Sequence, residues 1–272
     1  MNRVIISLLF IVCSIAESKA DWPVGKKRFT LAPSLTYTGS GRYFDTSGLI
    51  RKTPFGGSFS AYTFAISNTH GLSRKVDLFY SIPFIYVSTK SSVVSRQSTF
   101  GVGDITLGAS YNTPSKDLRS YYTLKAAVIF PAYSNLQQPY LGFGQKGVLL
   151  AANYSFIPKQ GVYMIIEGTY ARYFDELDGP NQYGVNINYG LILPRFQTLS
   201  FAFSHLLSES ADKSVNLNPL INKDFMVGKL SCTYGMRLSR NVGLYLMANH
   251  PLYGRNSGVA LGISLFATIR LP

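Results

Sequence analysis

Three glycines and an aspartate stand close together in FGVGDITLGASY, residues 100–111. Such a segment cradles phosphate when a buried strand runs into it and a helix opens directly after it, because helix-start amides hold the anion. The spacing of Gly101, Gly103 and Gly108 fits neither the dinucleotide nor the Walker pattern, and no Lys-Ser or Lys-Thr pair follows. Instead, Asp104, Thr106, Gly108 and Ser110 alternate with Ile105, Leu107, Ala109 and Tyr111. That is the period-two pattern of a strand with one wet and one apolar face. A second chemistry, hydrolysis of lipid esters at a membrane rim, needs a nucleophile with a base in hydrogen-bond reach. The candidates are His70, His205 and His250, and SHLLSES sets Ser208 three residues after His205. An odd offset puts the two on opposite faces of a strand, and no flanking Asn or Asp completes the array. Cys232 is the one cysteine beyond residue 20, so neither an intramolecular disulfide nor a thiol pair for metal is expected, and no cofactor is implied.

Seven ionisable and amide side chains share a pattern. Asp104, Lys125, Asn153, Glu167, Asn186, Asn188 and Lys229 each fall on the polar parity of an alternating segment. Charged groups at membrane depth are costly against lipid and belong inside, paired or wet. They would then line or gate a lumen, or form an ion-paired filling of a narrow interior; both readings stay open.

The segments that carry them are strands. RFTLAPSLTYTG sets Phe29, Leu31, Pro33, Leu35 and Tyr37 against Thr30, Ala32, Ser34, Thr36 and Thr38, and QYGVNINYGLIL and GVALGISLFATI repeat the scheme. Read throughout, the alternation predicts strands near 28–38, 57–68, 75–88, 100–112, 119–131, 145–157, 161–174, 183–194, 197–208, 225–237, 241–250 and 258–270. Most are longer than strands of soluble sheets and suit a tilted crossing of a bilayer. HGLSRK, TPSKDL, IPKQG, PRFQ and LSRN are short connections, alternating with mostly longer ones at 39–56, 89–99, 132–144, 175–182, 209–224 and 251–257. Tight turns on one side and larger loops on the other are the mark of an all-β, up-and-down antiparallel barrel of about twelve strands in the outer membrane. Closure is required there, since hydrocarbon leaves an open sheet edge unpaired. Tyr37, Tyr86, Phe100, Tyr111, Tyr154, Tyr170, Tyr173 and Tyr183 near strand ends suit the interfacial girdles. Pro33 and Pro83 lie inside strands and predict bulges or local breaks in the ladder. The end, FATIRLP, lacks the terminal aromatic residue common in such barrels.

Composition agrees. Only 14% of residues are charged, while tyrosine (19) and phenylalanine (18) abound, which is short of charge for a protein bathed everywhere in water. The opening MNRVIISLLFIVCSIAESKADW pairs a basic Arg3 with an apolar run from Val4 to Ile15 and a small-residue site at Ser18 and Ala20. This reads as a signal peptide over residues 1–20, removed by the export machinery, with residues 21–272 forming the barrel. A lipoprotein anchor on Cys13 is disfavoured by Val12 ahead of it. The formal charge of +13 is read as loop lysines and arginines facing an anionic membrane surface, lipopolysaccharide included, rather than as a nucleic-acid footprint.

HGLSRKVDLFYSIPFIY, FGVGDITLGASY, LGFGQKGVLLAANYSF and TYARYFDEL, in that order, resemble the outer-membrane transporter family associated with the meta-cleavage (MetA) pathway of phenol degradation. The resemblance runs in outline over residues 22–270 and implies a barrel, inserted by the barrel-assembly machinery, that passively admits small molecules, hydrophobic or aromatic ones among them. It assigns no binding residue. An outer-membrane lipid hydrolase and an adhesive barrel acting through loops 39–56 and 209–224 are the alternatives.

Overall fold

The computed structural model describes residues 23–93, 95–134, 136–174, 179–216 and 218–271; the expected signal peptide lies outside these. The described residues form one closed antiparallel barrel of twelve strands. They are β1 (Phe29–Ser40), β2 (Ser58–Gly71), β3 (Val76–Lys90), β4 in two segments (Gln97–Val102 and Asp104–Pro114), β5 (Ser120–Pro131) and β6 (Lys146–Lys159). There follow β7 (Val162–Phe174), β8 (Asn181–Leu193), β9 (Gln197–Glu209), β10 (Phe225–Arg237), β11 (Val242–Arg255) and β12 (Leu261–Leu271). Each pairs with its sequence neighbours, and β1 closes on β12 from Phe29 opposite Leu271 to Gly39 opposite Leu261. At that seam the Thr36 and Ser264 hydroxyls hydrogen-bond at 2.9 Å. Closure leaves no row of unpaired N–H and C=O groups, each of which would cost several kcal/mol in hydrocarbon.

The alternation sorts side chains by face. On one parity Leu35, Leu124, Leu150, Val185 and Leu265 are 47% to 61% exposed, too open for large apolar groups unless lipid covers them. The other parity carries buried small and polar side chains such as Ala32, Asn112, Thr123, Asn153, Ser155 and Asn188. The short connections are closed by their own side chains. In HGLSRK the Ser73 hydroxyl accepts from the amides of Lys75 (3.1 Å) and Val76 (2.9 Å). In LSRN, Ser239 does the same for Asn241 (3.2 Å) and Val242 (3.1 Å). At the other end the 41–57 loop forms a small hairpin, Arg42–Phe44 against Ile50–Lys52, extended by Ser257–Gly258. Asp45 anchors it: the hydrogen bond from Arg51 and those from the Leu49 and Ser47 amides hold its carboxyl below the usual range.

The two prolines act differently. Pro33 leaves the register of β1 on β12 unchanged and only omits the pairs at Ala32 and Pro33, a local break without a bulge. Opposite Pro83 there is a bulge, but it sits on the neighbouring strand. The β3–β4 register advances by one residue between Ser81–Thr106 and Phe84–Val102, and Gly103, the extra residue, donates its amide to the Pro83 carbonyl at 2.7 Å. The glycine is needed there because a Cβ would lie 2.5 Å from Ile85 Cδ1 and 3.2 Å from Pro83 Cγ. The glycine-aspartate motif is thus the joint of a strand: the inward set Thr99 and Gly101 resumes, one residue out of step, as Asp104, Thr106, Gly108 and Ser110.

Tyr173 departs from the girdle expectation. It is paired with Gly147 on the inward face, while Tyr170, three residues away, faces outward; alternation forbids both sharing a girdle. The last strand lacks a terminal aromatic ring, yet its ladder with β1 reaches Leu271, which pairs with Phe29.

Candidate functional site

The interior is organised by strand pairing. Asn112 pairs with Thr123, Thr123 with Asn153, Asn153 with Glu167, Glu167 with Asn186, Asn186 with Ser204, and Ser204 with Lys229. All are on the inward parity, so seven strands contribute one unbroken row of polar side chains. Barrel strands tilt, so following direct partners also climbs the wall. The row starts near the periplasmic end of β4, at Asn112, and finishes near the external end of β10, at Lys229. A parallel row one step toward the periplasm runs Asn188, Ala202, Ser231, Asn249.

Lys125 stands one step above this row on β5 and reaches over Ala151, its partner on β6, to Glu167 on β7: Nζ to Oε2 is 2.9 Å. The small alanine makes that reach possible. Both side chains keep about a fifth of their surface, 22% and 21%, so the pair meets water inside the barrel. Nearer the periplasm Asn112 donates to Asp77 at 2.9 Å and accepts from Thr123 at 2.8 Å, and Ser155 donates to Asn153 at 2.8 Å. Higher up, Asn186 Oδ1, Asn188 Oδ1 and Asn249 Nδ2 are buried without a partner from the protein.

The external end is narrowed by two loops that fold inward. From residues 132–145, Leu141 packs with Phe59, Ala61 and Val87 of β2 and β3, joined by Ile85, Tyr133 and Leu220 of the 209–224 loop. Leu141 lies so close to the wall that a Cβ on Gly101 would sit 2.8 Å from its Cδ1. The Asn218 side chain donates to the Tyr140 carbonyl at 2.7 Å and ties the loops together. Beside this cluster the Tyr133 hydroxyl bonds Asp104 on β4 and accepts the Gly144 amide at 2.9 Å, while Phe143 meets Tyr173 of β7 edge-on at 4.9 Å. Burial, with the Asp104 carboxylate beside it, raises the Tyr133 hydroxyl above the ordinary tyrosine range. Below the rim, Asp224 is held by Lys213 at 2.6 Å and Arg255 at 3.5 Å, and Ser208 donates to the Lys223 carbonyl at 2.6 Å.

The interior therefore holds Asp104 beneath the loops, Asn153, Glu167, Asn186 and Lys229 along the row, and Lys125 and Asn188 one step to either side. Tyr133, Leu141 and Leu220 were not singled out from the sequence, although apolar side chains in PYLGFG and NPLI are an odd choice for loops bathed in water. His205 and Ser208 do not meet: His205 faces outward, its Nδ1 at 2.9 Å from the Tyr253 hydroxyl, and Ser208 faces inward. Among the described residues no group of three His, Cys, Asp or Glu side chains could hold a metal ion.

A family model described as "Putative MetA-pathway of phenol degradation" matches residues 36–214. Among solved structures, an outer membrane channel from Pseudomonas putida F1 superposes with a TM-score of 0.79 at 14% identity, covering 95% of this chain and 100% of that one. The NanC porin gives 0.53 at 8% identity, covering 87% and 100%. The translocator domain of the autotransporter NalP from Neisseria meningitidis gives 0.50 at 10% identity, covering 91% and 89%. Identities this low show a shared fold. A direct comparison with curated protein sequences gives no match.

Proposed function

Because this chain belongs to the family described as "Putative MetA-pathway of phenol degradation" and folds as an outer-membrane β-barrel, we propose that it is a passive channel admitting small molecules, hydrophobic or aromatic ones among them. The observation that carries this reading is the polar row with its partly wet Lys125–Glu167 pair, set beneath an apolar constriction. A filling designed only for stability would favour close-packed apolar groups, since an ion pair and unpartnered amides add little to it. A water-filled path requires such groups. In this reading Asp104, Lys125, Asn153, Glu167, Asn186, Asn188 and Lys229 line the path, and Leu141, Leu220 and Phe59 set what may enter. Their apolar surfaces favour flat, apolar solutes over sugars of equal size. Residues 1–20 direct export, membrane lipids surround the barrel, and the role is not enzymatic.

Single-channel recording of the purified protein in planar bilayers tests the reading. Conductance is expected, with benzoate carrying more current than gluconate at equal concentration. Absence of conductance would remove the channel role; equal currents would remove the preference for aromatic solutes.

A further inference from the structure

Above the outer aromatic row the wall of the barrel changes character on one side. Tyr37, Tyr62, Tyr86 and Phe100 are direct partners across β1 to β4 and face outward, forming a belt at the depth of a membrane interface. Two residues further out, where lipid-facing side chains would continue, the same strands carry Ser60, Ser88 and Ser98, again in one row. Beyond them lie Ser58 and Lys90, and Arg96 folds back from the adjoining loop so that its Nε donates to the Ser88 hydroxyl at 2.9 Å. Ser58, Ser60, Ser88, Lys90 and Arg96 enclose a notch of about 280 Å³. Its chemistry is one-sided. No Asp or Glu occurs between Asp45 and Asp77 or between Asp77 and Asp104, so the outer halves of these strands bring lysine, arginine and serine but no carboxylate to this corner. Arg96 is exposed, and with Nε occupied its two Nη groups remain for a ligand. The loop is held in place by the Ser92 amide, which donates to the Phe55 carbonyl at 2.8 Å.

We infer that this notch binds a phosphate group carried on a lipid headgroup of the outer leaflet. A guanidinium fork, an ammonium and serine hydroxyls match the oxygens of a phosphate monoester. The notch opens sideways, just outside the aromatic belt, at the depth where headgroup phosphates lie, and this favours a lipid over free phosphate. Occupancy would hold Arg96 against the barrel wall.

The test uses the folded protein in detergent, titrated with bisphosphorylated lipid A, with the same lipid dephosphorylated, and with inorganic phosphate, and read by native mass spectrometry. Bisphosphorylated lipid A should remain bound, the dephosphorylated lipid should not, and inorganic phosphate at equal concentration should not displace the first. Lys90→Gln with Arg96→Gln should weaken retention roughly thirtyfold, two cations near an anionic surface at about 1 kcal/mol each. Equal retention of the dephosphorylated lipid, or by the double variant with its heat-shifted gel mobility intact, would overturn the site. Displacement by inorganic phosphate would overturn the lipid assignment. The lipid comparison needs only the wild-type chain, so it decides even if the variant fails to fold.

Discussion

Replacing Leu141 by alanine should loosen the external constriction. Leu141 retains 6% of its surface and touches Phe59, Ala61 and Val87, the last fully buried. Truncating a buried leucine costs about 2–5 kcal/mol, the lower end applying where neighbours can close in, as a loop can. Taking about 2 kcal/mol, the ratio of undocked to docked loop rises roughly thirtyfold at 1.4 kcal/mol per decade. If undocking admits solute, the open fraction in single-channel records should rise by that factor until it saturates. Leu124→Ala, on a lipid-facing position 61% exposed, should leave the record unchanged. Both variants must first show the slower mobility of boiled against unboiled samples that marks a folded barrel. An unchanged open fraction for folded Leu141→Ala, or equal changes in both, would refute the idea that this loop is the barrier.

Glu167→Gln leaves the Lys125 charge without its 2.9 Å partner in the interior, so reversal potentials should move toward anion selectivity, and Lys125→Gln should move them the other way. The Tyr133 hydroxyl, raised by burial above its ordinary value of 10.0, favours the docked loop below that value and loses this hold as pH climbs beyond it. Conductance should therefore rise above about pH 10 in the wild type, while Tyr133→Phe should show no such rise. Gly103→Val sets a side chain against Ile85 and Pro83 at the joint of β4 and should cost about 1–3 kcal/mol. A lowered unfolding midpoint in urea, measured in detergent, would register it.

Alternation carried most of the fold, because a half-wet, half-greasy wall forces every second residue to declare its face. It also puts Asp104, Lys125 and Glu167 on the face opposite Ile105, Leu124 and Ile166, the same division that the strand pairing makes. It could not say that Lys125 would cross Ala151 to reach Glu167, since a two-strand reach depends on tilt and stagger that no single strand encodes. Bulges or local breaks are expected at Pro33 and Pro83; the ladder skips Pro33, and the bulge at Pro83 is carried by the partner strand, where Gly103 has no side chain to place. Residue type misled at Tyr173: an aromatic near a strand end suggested the girdle, although its odd distance from Tyr170 already excluded that. The inward loops were hidden because irregular segments have no period to read; only the apolar Leu141, Phe143 and Leu220 marked them.

The ascent of the row from Asn112 to Lys229 means that its hydroxyls and amides trace part of a screw thread rather than a straight gutter. A molecule exchanging one hydrogen-bonding partner for the next would have to revolve about the barrel axis as it sinks. Bulky rigid solutes would be slowed by that turning even where the bore admits them, so selectivity would depend on the shape of the cargo as well as its girth.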